Sequence, residues 1–278
     1  MVRNPMNFHQ VSKMSLAPDA VDCIVFWTKN PTVMINRLDE LRNYTYYFQF
    51  TITPYGKDIE ENLPSKTDVI LPTFKRLSEM IGADRVIWRY DPILINEKYT
   101  VDYHVDAFGK IANTLRGFTR KVTISFIDTD YRGVKRNAKA LALLDIMYET
   151  QMDLGEKLAK IAHSCDLSID ACLENMDLQQ FGIERTRCID ARLIAKLLGR
   201  ELTVGKAKSQ RPECECAAST DIGMYNTCLH GCRYCYANYN HGVVDKNFSA
   251  HRLDSALISG VLGEDDKITE RKVKSLKG

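Results

Sequence analysis

The chain has 278 residues, 45% of them hydrophobic and 27% charged, with a formal net charge of +2. This is the balance of an ordinary soluble globular protein, and it supplies no strong field for nucleic acid or a membrane surface. No apolar run of about 18 residues is present, and Met1-Val2-Arg3-Asn4-Pro5 lacks the apolar core of a signal peptide, so a cytoplasmic location is expected by default.

Taken in chain order, the first 175 or so residues alternate strand and helix patterns. Cys23-Ile24-Val25-Phe26-Trp27 is a β-branched and aromatic run suited to a buried strand. Thr32 then caps a helix with Met34, Ile35, Leu38 and Leu41 on its apolar face. Tyr46 to Ile52 is the second strand. A helix bearing Ile70, Phe74, Leu77 and Ile81 follows, stopped by Gly82 and either starting near position 70 or kinked at Pro72. Val86 to Tyr90 is the third strand, and Thr100 opens a helix using Val101, Val105, Phe108, Ile111 and Leu115. Val122 to Ile127, a helical region ending near His163, and Leu167 to Ala171 complete the pattern.

Repeated strand–helix units require a parallel sheet, which a closed β/α barrel or an open doubly wound sheet would both satisfy. No glycine-rich phosphate loop follows any strand, which disfavours a nucleotide-binding open sheet. In a barrel, the strand C-terminal ends would bring together Thr28, Lys29, Asn30, Thr51, Thr53, Arg89, Asp91, Ser125, Asp128, Cys172 and Glu174, a polar ring suited to a small molecule. Lys29 would bind a carboxylate or phosphate, or reach solvent. Arg89 and Asp91, two apart on one strand, face the same way as a functional or a structural ion pair. Trp27 and Trp88 read as barrel packing, and His104 and His163 as surface or internally satisfied helix positions.

Nine cysteines are the unusual entry. In a reducing cytosol they point to metal binding or reactivity rather than disulfides. Cys23 and Cys165 stand apart and read as small buried apolar residues, while the other seven lie between Cys172 and Cys235. Cys228, Cys232 and Cys235 form Cys-x3-Cys-x2-Cys around Gly231. Three thiolates on so short a loop can wrap one face of a [4Fe–4S] cube and leave the fourth iron open to chelate S-adenosylmethionine. Zinc is the rival occupant, with His230 or Cys216 as a fourth ligand. Cys172, Cys188, Cys214 and Cys216 would complete a second four-thiol site if the chain folds back over the sheet.

Cys-x3-Cys-x2-Cys with an aromatic residue before the third cysteine resembles the signature of the radical S-adenosylmethionine enzymes. The resemblance implies that Tyr234 packs near the adenine, and that the fold is a partial, radical-enzyme-like (β/α) barrel. Because the triplet comes last rather than after the first strand, it also implies a circularly permuted barrel with a strand near Asp221-Ile222-Gly223 leading into the loop. Nearly the whole chain is similar to an uncharacterised prokaryotic family of unknown function related to those barrels. Val25-Phe26-Trp27-Thr28-Lys29-Asn30-Pro31, Val86-Ile87-Trp88-Arg89-Tyr90-Asp91-Pro92 and Tyr225 to Asn238 carry that similarity. Two departures stand out: no Gly-Gly-Glu stretch is present to hold the methionine amino group, and an N-terminal strand usual in the family is missing, which would leave a strand edge open.

The implied organisation is barrel units over 1–176, a Cys-rich cluster-binding segment packed on them over 177–240, and a polar, loosely held tail over 241–278. The implied function is an iron–sulfur enzyme that generates a 5′-deoxyadenosyl radical, with Lys29, Arg89 and Asp91 holding a small-molecule substrate. It would draw electrons from a reducing partner such as a ferredoxin or flavodoxin. The resemblance favours a second [4Fe–4S] cluster on the remaining four cysteines; bare chemistry allows zinc equally, and a non-catalytic zinc or scaffold protein is the alternative.

Overall fold

The computed structural model describes residues 1–4, 7–172, 177–202, 204–205 and 214–272. Glu174 and the basic link from Lys206 to Arg211 lie outside them. Two short N-terminal strands, β1 (Val2–Asn4) and β2 (Asn7–Lys13), precede six parallel strands: β3 (Ile24–Thr28), β4 (Tyr46–Thr51), β5 (Val86–Ile93), β6 (Lys121–Phe126), β7 (Ser168–Ala171) and β8 (Ile183–Arg185). These six lie in strict chain order, β3-β4-β5-β6-β7-β8. The protein is therefore mixed α/β with a parallel sheet. Strands β3 and β8 are its two edges and are not paired with each other, so among the described residues no closed ring forms.

Period-two alternation gives the sheet two unlike faces. Phe26, Tyr46, Phe48, Phe50, Val86, Trp88, Tyr90, Val122, Ile124 and Ile169 share one core with three helices. These are α2 (Leu71–Ile81), α3 (Val101–Leu115) and α5 (Tyr148–Ser164). Trp88 stacks on Phe108 at 4.8 Å between ring centroids, and Phe50 lies 5.0 Å from Phe74. Each fully buried aromatic here contributes about 2–3 kcal/mol of apolar burial. The opposite face is polar along its middle: Thr51, Arg89, Thr123, Asp170 and Glu184 are cross-strand neighbours in one row. Helix α6 (Ala191–Leu198) covers part of that face, packing Ile194 with Tyr47 and Ile87.

Local sequence explains the helix limits. Thr100 caps α3 by accepting from the Tyr103 N–H, and Asp190 caps α6 in the same way through Arg192. Gly82 and Gly199 end α2 and α6 at φ +96 and +68, backbone conformations that glycine adopts without a Cβ penalty. Pro72 sits at the junction where a π turn at Lys66–Ile70 passes into α2. The helix expected from Thr32 to Leu41 is broken into α1 (Thr32–Ile35) and a 3₁₀ turn at Leu38–Leu41.

Three expectations need correction, and the alternatives for His104 resolve to one. Trp27 is 51% exposed, because it lies on edge strand β3 beyond the cover of α6. Residues Asp221 to Gly223 form no strand. The last forty residues contain α7 (His241–Ser249) and β9 (Lys267–Glu270), and β9 pairs in parallel with β2. There Arg3 grips Asp266 through two hydrogen bonds of 2.6 and 2.7 Å, tying the N-terminal hairpin to the C-terminal segment. His104 is fully buried, between the Tyr90 hydroxyl at 2.7 Å and the Leu94 carbonyl at 2.9 Å, so it is an internally satisfied core histidine. No helix among the described residues is long and apolar enough to cross a membrane.

Candidate metal centre

The loop from Cys228 to Cys235 lies against the segments that leave the C-terminal ends of the strands. On one side it meets the chain after β4. Glu60 and Cys232 form an antiparallel bridge, the Arg233 N–H donates to the Ile59 carbonyl at 2.9 Å, and the Asn62 N–H donates to the His230 carbonyl at 3.0 Å. On the other side it meets α4 (Arg132–Leu141), which follows β6. Asn137 Nδ2 donates to the Arg233 carbonyl at 2.6 Å, and a Cβ placed on Gly133 would come within 2.5 Å of the Cys235 carbonyl oxygen. Gly231 turns the loop at φ +65, where a Cβ would stand 3.2 Å from Asn62 Nδ2. The positive φ favours glycine in the cysteine motif, and the Asn62 side chain leaves little room for a Cβ.

Beneath the loop sits Glu60, 1% exposed. Its Oε1 accepts from Lys29 Nζ at 2.7 Å and Thr53 Oγ1 at 2.7 Å, and also from the Tyr234 hydroxyl. Its Oε2 pairs with Lys66 Nζ at 2.6 Å. Burial alone would raise the carboxyl pKa; the two ammonium groups and their hydrogen bonds outweigh it and hold the group at about 2. Lys29 also stands 5.3 Å over the ring of Tyr234, and Tyr55 meets that ring edge-on at 5.9 Å. Burial pushes the Cys232 thiol up to about 12 against the charge of Lys29, and raises Cys228 as well, against the His230 N–H and Lys29. Metal binding at these thiols must displace protons.

The second group of cysteines also converges. Cys172 follows β7 and Cys188 precedes α6; their sulfurs are 3.9 Å apart. Cys216 Sγ accepts from the backbone N–H groups of Cys188 at 3.1 Å and Ile189 at 3.5 Å, and Cys214 interacts with the Cys216 thiol. Buried Arg89 donates from Nη1 to Cys188 Sγ at 3.2 Å and from Nη2 to Asp91 Oδ2 at 2.5 Å. Thiol hydrogen bonds from Cys172 and Cys216, followed by the Arg89 charge, overcome burial and lower the Cys188 pKa. The same contacts raise Cys172 and Cys216.

The expected site residues therefore divide. Lys29 and Tyr234 join the triplet loop through Glu60, whereas Arg89 and Asp91 join the second thiol group. Cys165 is buried and Cys23 half-buried, apart from both. Glu60, Lys66 and Thr53 were not singled out as a unit by the sequence; the only hint was that Thr53 opens a long loop at a strand's C-terminal end. In kind, three thiols from one loop are the donor set of a [4Fe–4S] cluster with an open iron, and four clustered thiols suit either a cluster or zinc. Among the described residues, no three Cys, His, Asp or Glu side chains already stand as a group that could hold a metal ion, so ligation requires the thiols to turn toward one another.

A cavity lined by Lys121, Asp170, Asp190 and Arg192 opens at the N-terminal ends of β6 and β7. Within it Lys121 pairs with Asp170 and Arg192 with Asp190 at 3.5 Å, while Lys196 pairs with Asp84 outside it, an arrangement of structural ion pairs. The cysteine loop offers the more specific chemistry. No curated protein matches the chain. The family model described as a domain of unknown function, DUF1848, matches residues 1–237, and the chain belongs to that family.

Proposed function

We propose that the chain is an iron–sulfur enzyme of the radical S-adenosylmethionine kind, holding a [4Fe–4S] cluster on Cys228, Cys232 and Cys235. The observation that carries this reading is the anchoring of a three-thiol loop, by Glu60, Asn62 and Asn137, over the C-terminal ends of parallel strands laid out in chain order. That is the end of a β/α sheet at which side chains from several strands meet a ligand. We read the open six-stranded sheet, with its apolar helix-covered face and its polar opposite face, as a partial barrel. When bound, such a cluster supplies the electron that splits the carbon–sulfur bond of S-adenosylmethionine and yields a 5′-deoxyadenosyl radical.

The chain's own residues have separable tasks. Cys228 is exposed and Cys232 half-buried, so the loop presents its thiols between protein and solvent. Lys29 and Lys66 share one buried carboxylate, and the charge of Lys29 partly opposes the burial that raises the Cys232 and Cys228 thiols. Arg89 places a second fixed cation beside Cys188 while Asp91 holds its orientation. We assign Cys172, Cys188, Cys214 and Cys216 to a second thiolate metal site, a [4Fe–4S] cluster or zinc. Thr51, Arg89 and Thr123, from the polar row of the sheet, would line the small-molecule substrate site, and a ferredoxin or flavodoxin would supply electrons.

The test is anaerobic reconstitution with iron and sulfide, then addition of S-adenosylmethionine and dithionite. Release of 5′-deoxyadenosine by the natural chain, and its loss in Cys228→Ala, supports the reading. A fully loaded cluster that releases none would limit the protein to an iron–sulfur role without radical chemistry.

A further inference from the structure

We infer that Glu60 is a positioning residue: its buried carboxylate, held by Lys29, Lys66 and Thr53, seats the cysteine loop through the hydroxyl of Tyr234. The functional meaning of this seat rests on the cluster reading above, whereas the seat itself is a feature of the metal-free chain.

Three observations converge on it. A carboxylate with 1% exposure is costly to bury unless it is paired, and here four side chains from separate segments meet it: Lys29 after β3, Thr53 after β4 and Tyr234 from the cysteine loop donate hydrogen bonds to Oε1, while Lys66 before α2 faces Oε2 as an ion pair. Three of these donors belong to the sheet and its following loops; Tyr234 alone belongs to the ligand loop. It lies between Cys232 and Cys235, so fixing its hydroxyl fixes the backbone that carries both thiols. The Glu60 backbone adds to this, because it forms the antiparallel bridge to Cys232. Side chain and main chain of one residue therefore hold the loop at adjacent positions.

The arrangement also changes the meaning of Lys29. Its ammonium is spent on Glu60 at 2.7 Å and lies over the Tyr234 ring, so it acts on the loop rather than reaching for substrate. Lys66 plays the matching part at the other carboxylate oxygen. Two cations on one anion keep the carboxylate ionised and oriented, which a single pair would do less firmly.

The experiment measures alkylation of each cysteine by iodoacetamide in the metal-free, reduced full chain, read by peptide mass spectrometry. In Glu60→Gln, the rates at Cys228, Cys232 and Cys235 are expected to rise about tenfold, as for a local opening freed from a charge-assisted hydrogen bond, while those at Cys172 and Cys188 stay as in the natural chain. Tyr234→Phe removes only the hydroxyl and is expected to give a smaller rise at the same three thiols, so it decides the matter should Glu60→Gln not fold. Unchanged rates at the triplet, or an equal rise at both thiol groups, would overturn the inference. Failure of the natural chain to bind iron would count against the cluster reading alone, because this measurement uses no metal.

Discussion

The Tyr234 hydroxyl donates a hydrogen bond to the Glu60 carboxylate across 174 positions of sequence. This one contact joins the cysteine motif to the strand ends, and it makes loop docking sensitive to small changes on either side of the loop.

Gly133 is the clearest such position. A methyl group there would meet the Cys235 carbonyl oxygen at 2.5 Å, and that obstacle is backbone rather than a flexible side-chain tip. Gly133→Ala is expected to lower stability by about 1–3 kcal/mol through overpacking and to expose Cys235 to alkylation. Urea denaturation of the two proteins checks the first expectation, and unchanged stability with unchanged Cys235 reactivity would contradict the close packing of α4 against the loop.

His104 sets a pH dependence. Burial, opposed by its hydrogen bond to the Leu94 carbonyl, lowers its pKa from 6.5 to about 4. The unfolded chain therefore takes up a proton near pH 6.5 that the folded chain refuses until pH falls to about 4. Stability from this site is complete above pH 6.5 and is lost as pH falls through that window, by about 3 kcal/mol at its lower end. Glu60, held at about 2 against 4.5 when free, adds a further loss only below pH 4.5. Unfolding free energies between about pH 7 and pH 5 report His104 together with His230, whose pKa burial and the Lys29 charge also lower. A His104→Gln variant should be less stable at neutral pH and show a flatter slope through this range; an equal slope would assign the effect elsewhere.

Arg89 is buried between Asp91 and Cys188, with Gln49 Oε1 at 3.4 Å. Arg89→Leu removes the cation and leaves two electron-rich partners facing an apolar side chain. We expect a loss of about 3 kcal/mol, toward the lower end for a broken buried pair because Asp91 is 27% exposed and regains some water. The same variant should weaken metal retention at Cys172, Cys188, Cys214 and Cys216 without changing it at the triplet. Metal stoichiometry after dialysis against a chelator measures both halves, in one background lacking Cys228, Cys232 and Cys235 and in another lacking Cys172, Cys188, Cys214 and Cys216.

The second thiol group also predicts a count. Replacing Cys172 and Cys188 together by serine should remove the metal of that group, iron or zinc, and leave iron at the triplet. Loss of all metal from that variant would mean the two sets of cysteines serve one site.

The parallel sheet was legible because its central strands are β-branched and aromatic runs buried almost throughout. Tyr46, Phe48 and Phe50 announce β4 as plainly as Val86, Trp88 and Tyr90 announce β5. Strand β8 has three residues, Ile183 to Arg185, too few to show a period, and β9 is fully exposed and gains its meaning only by pairing with β2. Closure into a ring could not be read from strand patterns, since edge and interior strands of a parallel sheet share the same apolar code. At the site, the cysteine spacing singled out the ligand loop, and Lys29 was visible at a strand end. Glu60 was not, because an acidic residue in a polar loop looks solvated; only folding shows that Lys29, Lys66 and Tyr234 meet there.

The most direct measurement is iron content, with the absorption spectrum, of anaerobically reconstituted protein and of a Cys228→Ala, Cys232→Ala, Cys235→Ala variant. The account predicts a brown natural chain with broad absorption near about 400 nm, and a variant lacking the equivalent of one [4Fe–4S] cluster. A colourless natural chain carrying stoichiometric zinc, or a variant with undiminished iron, would contradict it.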